Sequence, residues 1–196
     1  MKNLSIKLEI HNKILDSSES IKKSIENIPE IIRIIESITK SLKKGNKIIL
    51  FGNGGSAADA QHIAAELVGR FDYDRKSLPA ISLTTDTSVI TSIGNDYSFE
   101  KIFSRQCESL VNKGDVVVGI STSGNSINVK NGLLVSKRKG AKTIGFLGHK
   151  GGHIKNIVDI PLIVNSNSTP RIQEVHRTSA HIICEMVEKN ISRRSK

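Results

Sequence analysis

Two short loops and a few scattered polar side chains carry the chemistry open to this sequence. The first loop, Gly52-Asn53-Gly54-Gly55-Ser56, follows the apolar run KIILF and leads into AADAQH. Its glycines allow a tight turn and let the backbone approach a ligand closely, and a helix starting behind it would direct free N–H groups at an anion. Ser56 and Asp59 have the spacing of a capping box for that helix. A tight strand-to-helix turn without a ligand fits the same residues. The string also matches the loose dinucleotide pattern G-x-G-x-x-A, but Asp86, the acid that would hold a ribose, lies 32 residues beyond Gly54 rather than ~20. No Gly-Lys-Ser/Thr follows, which excludes a P-loop.

The second loop, Ser121-Thr122-Ser123-Gly124-Asn125-Ser126, follows DVVVGI. Four hydroxyl side chains in six residues, with a helix starting behind them, can surround a phosphate with neutral donors. The plainer alternative is a polar turn in which Ser126 caps the next helix. The density of hydroxyls exceeds what one cap needs, so the residues predict a phosphate cradle without a lysine.

The remaining candidates are imidazole, carboxylate and amide groups. His62 and Glu66 are four residues apart, hence on one helical face, at the edge of an apolar stripe of Ala60, Ile63, Ala64 and Leu67. Pro170 after Thr169 suits the start of a last helix, which places Gln173 in its first turns and His181 about two turns later, with Glu174 and His176 between them. Singly, each is an ordinary surface position or core histidine. As a set, His62, Glu66, Gln173 and His181 form an N/O donor group that a borderline metal such as zinc accepts. The same His and Glu residues suit general acid–base work equally. Gln173 and His181 are separated by ~12 Å of rise and ~80° around one helix. Either they clamp a site from above and below, or they act from different subunits.

The elements that must position these groups follow from hydrophobic period. From Ser17 to Leu42, Ile21, Ile25, Ile28, Ile31, Ile32, Ile35, Ile38 and Leu42 recur at threes and fours, which predicts a long amphipathic helix. Pro29 predicts a kink or break near Ile28. Beyond Gly45, short β-branched runs at Lys47–Gly52, Leu78–Thr84, Asp115–Ser121, Lys142–Leu147 and Val158–Val164 predict five buried strands. Helical segments at Ala57–Arg70, Phe99–Asn112, Ile127–Lys139 and Pro170 to about Asn190 lie between and after them. The pattern predicts an α/β fold: a doubly wound three-layer α-β-α sandwich on a five-stranded parallel sheet, flavodoxin-like, with a long N-terminal helix. One domain is expected over 1–196, with a helical segment at 1–45 and an α/β core at 46–192. In such folds ligands bind at the carboxyl ends of the strands, where both loops fall.

Composition narrows the partners. With 196 residues, 37% hydrophobic and 24% charged, the chain is that of an ordinary globular domain and not a disordered or fibrous one. Residues 1–100 carry 13 cations and 13 anions, so the whole +10 charge belongs to 101–196. Aromatics are only 4%, tryptophan is absent and no RNA-binding signature appears, so no nucleic-acid partner is expected. Cys107 and Cys184 lie 77 residues apart, with the spacing of neither a disulfide framework nor a thiolate zinc site. The N-terminal stretch has no apolar signal region and no window is long enough to span a bilayer, so a soluble, cytoplasmic protein without membrane partners is expected.

Several stretches together resemble the sugar isomerase (SIS) domain of bacterial phosphoheptose isomerases. They are Gly52–His62 with Glu66, Leu83–Thr87, Gly94-Asn95-Asp96-Tyr97, Ser121–Ser126 and Thr169-Pro170-Arg171-Ile172-Gln173-Glu174, in order over roughly residues 20 to 192. The resemblance implies an aldose–ketose isomerase that acts on sedoheptulose 7-phosphate, in a homotetramer with active sites at subunit interfaces. It implies Asn53, Gly54, Gly55, Glu66, Asn95, Asp96 and Gln173 as sugar contacts, and Ser121, Thr122, Ser123 and Ser126 as phosphate contacts. Glu66 would be the base and His181 the acid, with one zinc per subunit on His62, Glu66, Gln173 and His181. A related replication-initiator-associating protein of the same fold is the rival, a binding module; the complete His62, Glu66, Gln173 and His181 set favours the enzyme. A sugar-phosphate-sensing regulator would need a DNA-binding module, for which no room remains.

Overall fold

The computed structural model describes residues 2–192; Met1 and the end of the basic tail, 193–196, lie outside that range. Two helices open it, α1 (Lys2–Lys23) and α2 (Ile28–Lys43), separated by one 3-10 turn at Ser24–Asn27. The break expected near Ile28 is this turn, which ends at Asn27, and the first helix reaches back to Lys2. Proline is the reason: its fixed φ and missing N–H suit a first helical turn, so Pro29 starts α2 rather than bending it.

The strands are β1 (Ile48–Gly52), β2 (Ala80–Ser82), β3 (Val116–Ser121), β4 (Lys142–Gly148) and β5 (Ile160–Val164). They are all parallel, in the flavodoxin order β2-β1-β3-β4-β5. The helices of this part are α3 (Gly55–Val68), α4 (Thr87–Asp96), α5 (Ile102–Leu110), α6 (Ile127–Arg138) and α7 (Thr169–Ser192). Successive strand residues point to opposite faces. Ile48, Leu50, Val116 and Val118 meet α2, α3 and α7, while Ile49, Phe51 and Val117 meet α4, α5 and α6. Both faces are covered, which is why the strands read as continuous apolar runs.

Two details differ from expectation. The second strand is only three residues long, and α4 carries no helical signal in the sequence, because TSVITSIGND is rich in β-branched and hydroxyl residues of low helix propensity. Asp86 compensates by capping it, its carboxylate accepting from the Val89 N–H at 3.0 Å. Asp86 is a helix cap, not a ribose ligand.

Two polar anchors hold the periphery. Glu188 on α7 is fully buried and accepts from the N–H groups of Phe71, Asp72 and Tyr73 and from Arg75 Nε. Arg75 donates onward to the carbonyls of Glu66 and Leu67, closing the end of α3. Helix α1 docks at the start of α7, where Arg171 donates to the Lys13 carbonyl and Ser17 to Glu174. It leaves Leu4, Ile6, Leu8, Ile10, Ile14 and Leu15 between 49% and 76% exposed, Ile6, Ile10 and Ile14 beside Arg171 and Glu174.

Candidate active site

β1 and β3 are adjacent, with Gly52 opposite Ile120. The chain leaves β1 for β2 on one side and leaves β3 for β4 on the other, so the loops after β1 and β3 flank the point where strand order reverses. Both loops singled out by sequence sit at this switch point.

In the first loop, Gly54 has φ +55° and directly precedes α3. Only glycine takes that conformation without strain. Helix α3 consequently starts at Gly55, which puts Ser56 inside its first turn, and the expected capping box does not form. Asp59 instead accepts from Arg177 on α7, with Nε at 3.0 Å. Asn53 exchanges two amide hydrogen bonds of 2.9 Å with Asn128 at the start of α6. Asn128 is buried, and its oxygen also accepts from the Val129 N–H. Sequence reasoning missed Asn128, since an asparagine in a first helical turn carries no signal beyond local capping.

In the second loop three of the four hydroxyls, those of Ser121, Ser123 and Ser126, lie together. Ser121 Oγ lies 3.0 Å from Ser126 Oγ and 3.4 Å from Ser123 Oγ, and Ser123 Oγ accepts from the Asn125 N–H. Ser126 precedes α6, but its side chain makes no capping bond and stays with the hydroxyl group. Gly124, at φ +67°, packs where any Cβ would strike the Gly151 carbonyl. The N–H groups of Ile154 and His153 donate to the Gly124 carbonyl and the Asn125 side chain, bracing the loop from outside.

The ionisable set is brought together in part. His62 Nε2 and His181 Nε2 are 2.7 Å apart, Glu66 Oε1 is 3.4 Å from His62 Nε2, and one ligand atom from each of the three lies within 4.8 Å of the others. All three side chains are half-buried. The Phe71 ring closes on His181 at 5.9 Å, a contact sequence reasoning also missed. Gln173 does not join this group within the chain. It lies against Gly55, seven residues before His62 on α3 and thus roughly 10 Å along the axis. Asn95 and Asp96 occupy the exposed last turn of α4, where Asn95 Nδ2 donates to Asp96 Oδ1 at 2.9 Å. No hydrogen bond among the described residues ties them to the loops or the histidines. His176 is buried beside Phe146, and burial lowers it to about 4, so it stays neutral at physiological pH. It is a core histidine.

The doubly wound sheet, with its hydroxyl-bearing loop at the switch point and a His/Glu group further along α3, is that of a SIS-domain protein, and the SIS domain family model matches residues 12–148. Its relatives narrow the class. The phosphoheptose isomerase of Geotalea daltonii is 54% identical over 188 residues, 95% of each chain, and that of Geobacter sulfurreducens is 58% identical over 82% of this chain and 85% of the relative. The solved phosphoheptose isomerase of Neisseria gonorrhoeae superposes with a TM-score of 0.90 at 37% identity, covering 94% of this chain and 99% of that one. The chain belongs to the phosphoheptose isomerase family.

Proposed function

We propose that the protein converts D-sedoheptulose 7-phosphate to D-glycero-D-manno-heptose 7-phosphate through an enediol, in the cytoplasm, toward the heptose of bacterial surface polysaccharides such as lipopolysaccharide or capsule. The observation that carries this is the His62–Glu66–His181 group in a chain whose relatives are phosphoheptose isomerases. The adaptor alternative leaves that group without a purpose.

The chemistry suits these residues. The C1 proton beside a ketose carbonyl is weakly acidic, so a carboxylate must remove it while charge on the carbonyl oxygen is neutralised. Glu66 takes the proton from C1 and returns it to C2. His181 donates a proton to O2 as the enediol forms and takes the O1 proton when the aldehyde is made. Ser121, Thr122, Ser123 and Ser126 anchor the phosphate. Asn53, held by Asn128, together with Gly54, Gly55, Asn95, Asp96 and Gln173, orients the sugar. Two imidazoles and a carboxylate with converging atoms suit zinc, one per subunit, held by His62, Glu66, His181 and Gln173. When bound, the ion would supply Lewis-acid polarisation of the substrate oxygens in place of the proton from His181, since an imidazole nitrogen that ligates zinc has no proton to donate.

Gln173 lies too far along α7 to reach the His62 group from the same chain, which favours the second of the two arrangements above: a neighbouring subunit supplies it. A homotetramer with interfacial active sites also gives the exposed apolar side chains of α1 a cover, since unburied apolar surface of that extent marks an interface. Light scattering should accordingly give about four chains per particle, and a stable monomer at micromolar concentration would refute shared sites.

Purified protein should turn over sedoheptulose 7-phosphate but not sedoheptulose, because phosphate binding orients the reacting end. Ser123→Ala should raise KM several-fold with little loss of kcat. No turnover of any C5–C7 ketose phosphate, with or without added zinc, would sink the proposal.

A further inference from the structure

Helices α3 and α7 run in the same direction and meet in three rungs: Gln173 against Gly55, Arg177 paired with Asp59, and His181 against His62. The spacings are four and four on α7, and four and three on α3, so each rung lies about one helical turn beyond the last. The outer rungs carry proposed site residues. The middle one has no part in the reaction so far. Asp59 is only 5% exposed, and Arg177 reaches it from the open side with both Nε and Nη2 directed to Oδ1.

Around these rungs the contact is apolar, with Ala60, Ile63, Ala64, Ala180 and Ile183 in one core cluster, and a second polar tie, from Glu188 through Arg75 to the Glu66 and Leu67 carbonyls, lies beyond them at the end of α3. Apolar burial is non-directional, so by itself it resists sliding weakly. A charge-assisted contact through two donors is directional. A slide of one residue, ~1.5 Å along the axis, would end the 2.7 Å contact between His62 and His181.

We infer that Asp59 and Arg177 are positioning residues that set the register of α3 against α7 and so hold His62, Glu66 and His181 in one group. The inference rests on the metal and acid–base roles proposed above. Asp59 acts through the histidines and touches no reacting atom.

The test compares Asp59→Leu/Arg177→Met with wild type. Asp59 is buried while Arg177 is about half exposed, so replacing both by apolar side chains of similar size removes the buried charge together with its partner instead of leaving it unpaired, and this variant separates register from simple charge compensation. Thermal midpoint, kcat and KM for sedoheptulose 7-phosphate, and zinc affinity against a competing chelator are measured. The double variant should melt within a few degrees of wild type, while kcat falls ~10–10²-fold, the loss that misplacement by ~1 Å can cause. Zinc affinity should fall ~10-fold or more, with KM changed less than about threefold. Wild-type kcat and zinc affinity in the folded double variant would overturn the inference. Should that variant not fold, Arg177→Lys decides, since it keeps the charge but loses the fork: kcat reduced at least ~5-fold at an unchanged midpoint supports the pair's role, and unchanged kcat overturns it. Wild-type enzyme that turns over without binding zinc would refute the metal role alone, and the ratio of variant to wild-type kcat would still report on register.

Discussion

Glu66→Gln is expected to lower kcat by ~10²–10⁴-fold, the loss typical when a general base is removed, with KM nearly unchanged. Glutamine keeps the size of the side chain and one ligating oxygen but cannot accept the C1 proton. The surroundings should tolerate it, because Glu66 is half-buried and its side chain faces His62 rather than the apolar core. Steady-state kinetics with sedoheptulose 7-phosphate measure the split between kcat and KM. Exchange of the C1 hydrogen with solvent deuterium should slow in parallel, since it reports the same proton transfer. If Glu66→Gln instead keeps near-wild-type turnover while His62→Ala is inactive, the carboxylate is a ligand and His181 must take the proton.

The largest expected effect on stability comes from Glu188→Ala. Glu188 and Arg75 have side chains only 1% and 6% exposed, and three backbone N–H groups also converge on the carboxylate. Truncation leaves a buried guanidinium and those N–H groups unpaired, a change that costs ~3–5 kcal/mol. That is a large part of the ~5–15 kcal/mol by which domains are stable, and chemical denaturation measures it. The same cluster sets an acid limit. Burial alone would raise the Glu188 pKa, but the N–H groups of Phe71, Asp72 and Tyr73 and the Arg75 charge outweigh it and hold the carboxyl below its ordinary value. Asp159 is held low in the same way, by Thr143 with Lys142 and Lys137, against its desolvation. A carboxylate depressed in the folded state contributes stability that is fully present above its unfolded pKa of ~4.3 for Glu, and this is lost as pH falls through the lower folded value. Denaturation midpoints measured with a chelator present should therefore drop below about pH 4, and less steeply in Glu188→Gln.

Residue pattern alone determined the sheet, the layers and the two loops. Five β-branched runs bounded by turn residues admit one architecture, and the hydroxyls of Ser121, Ser123 and Ser126 lie together because they are neighbours in the chain. The His62–Glu66 pair was legible for the same reason, as helical spacing places four-apart residues on one face. Legibility ended where partners are distant in sequence. Asp59 reads locally as a capping residue, yet a backbone turn at Gly54 starts α3 early and frees that carboxylate for Arg177, 118 residues away. The reciprocal bond of Asn53 with Asn128 and the buried seat of Glu188 under Phe71–Arg75 likewise join residues whose own neighbours give no hint of them. The separation of Gln173 from His181 was calculable from helix rise, but that His181 and not Gln173 meets His62 was decided by how α7 lies along α3. Local propensity and period act over one or two turns of chain, whereas the register between two packed helices is set by the side chains that meet across them, and those become neighbours only on folding.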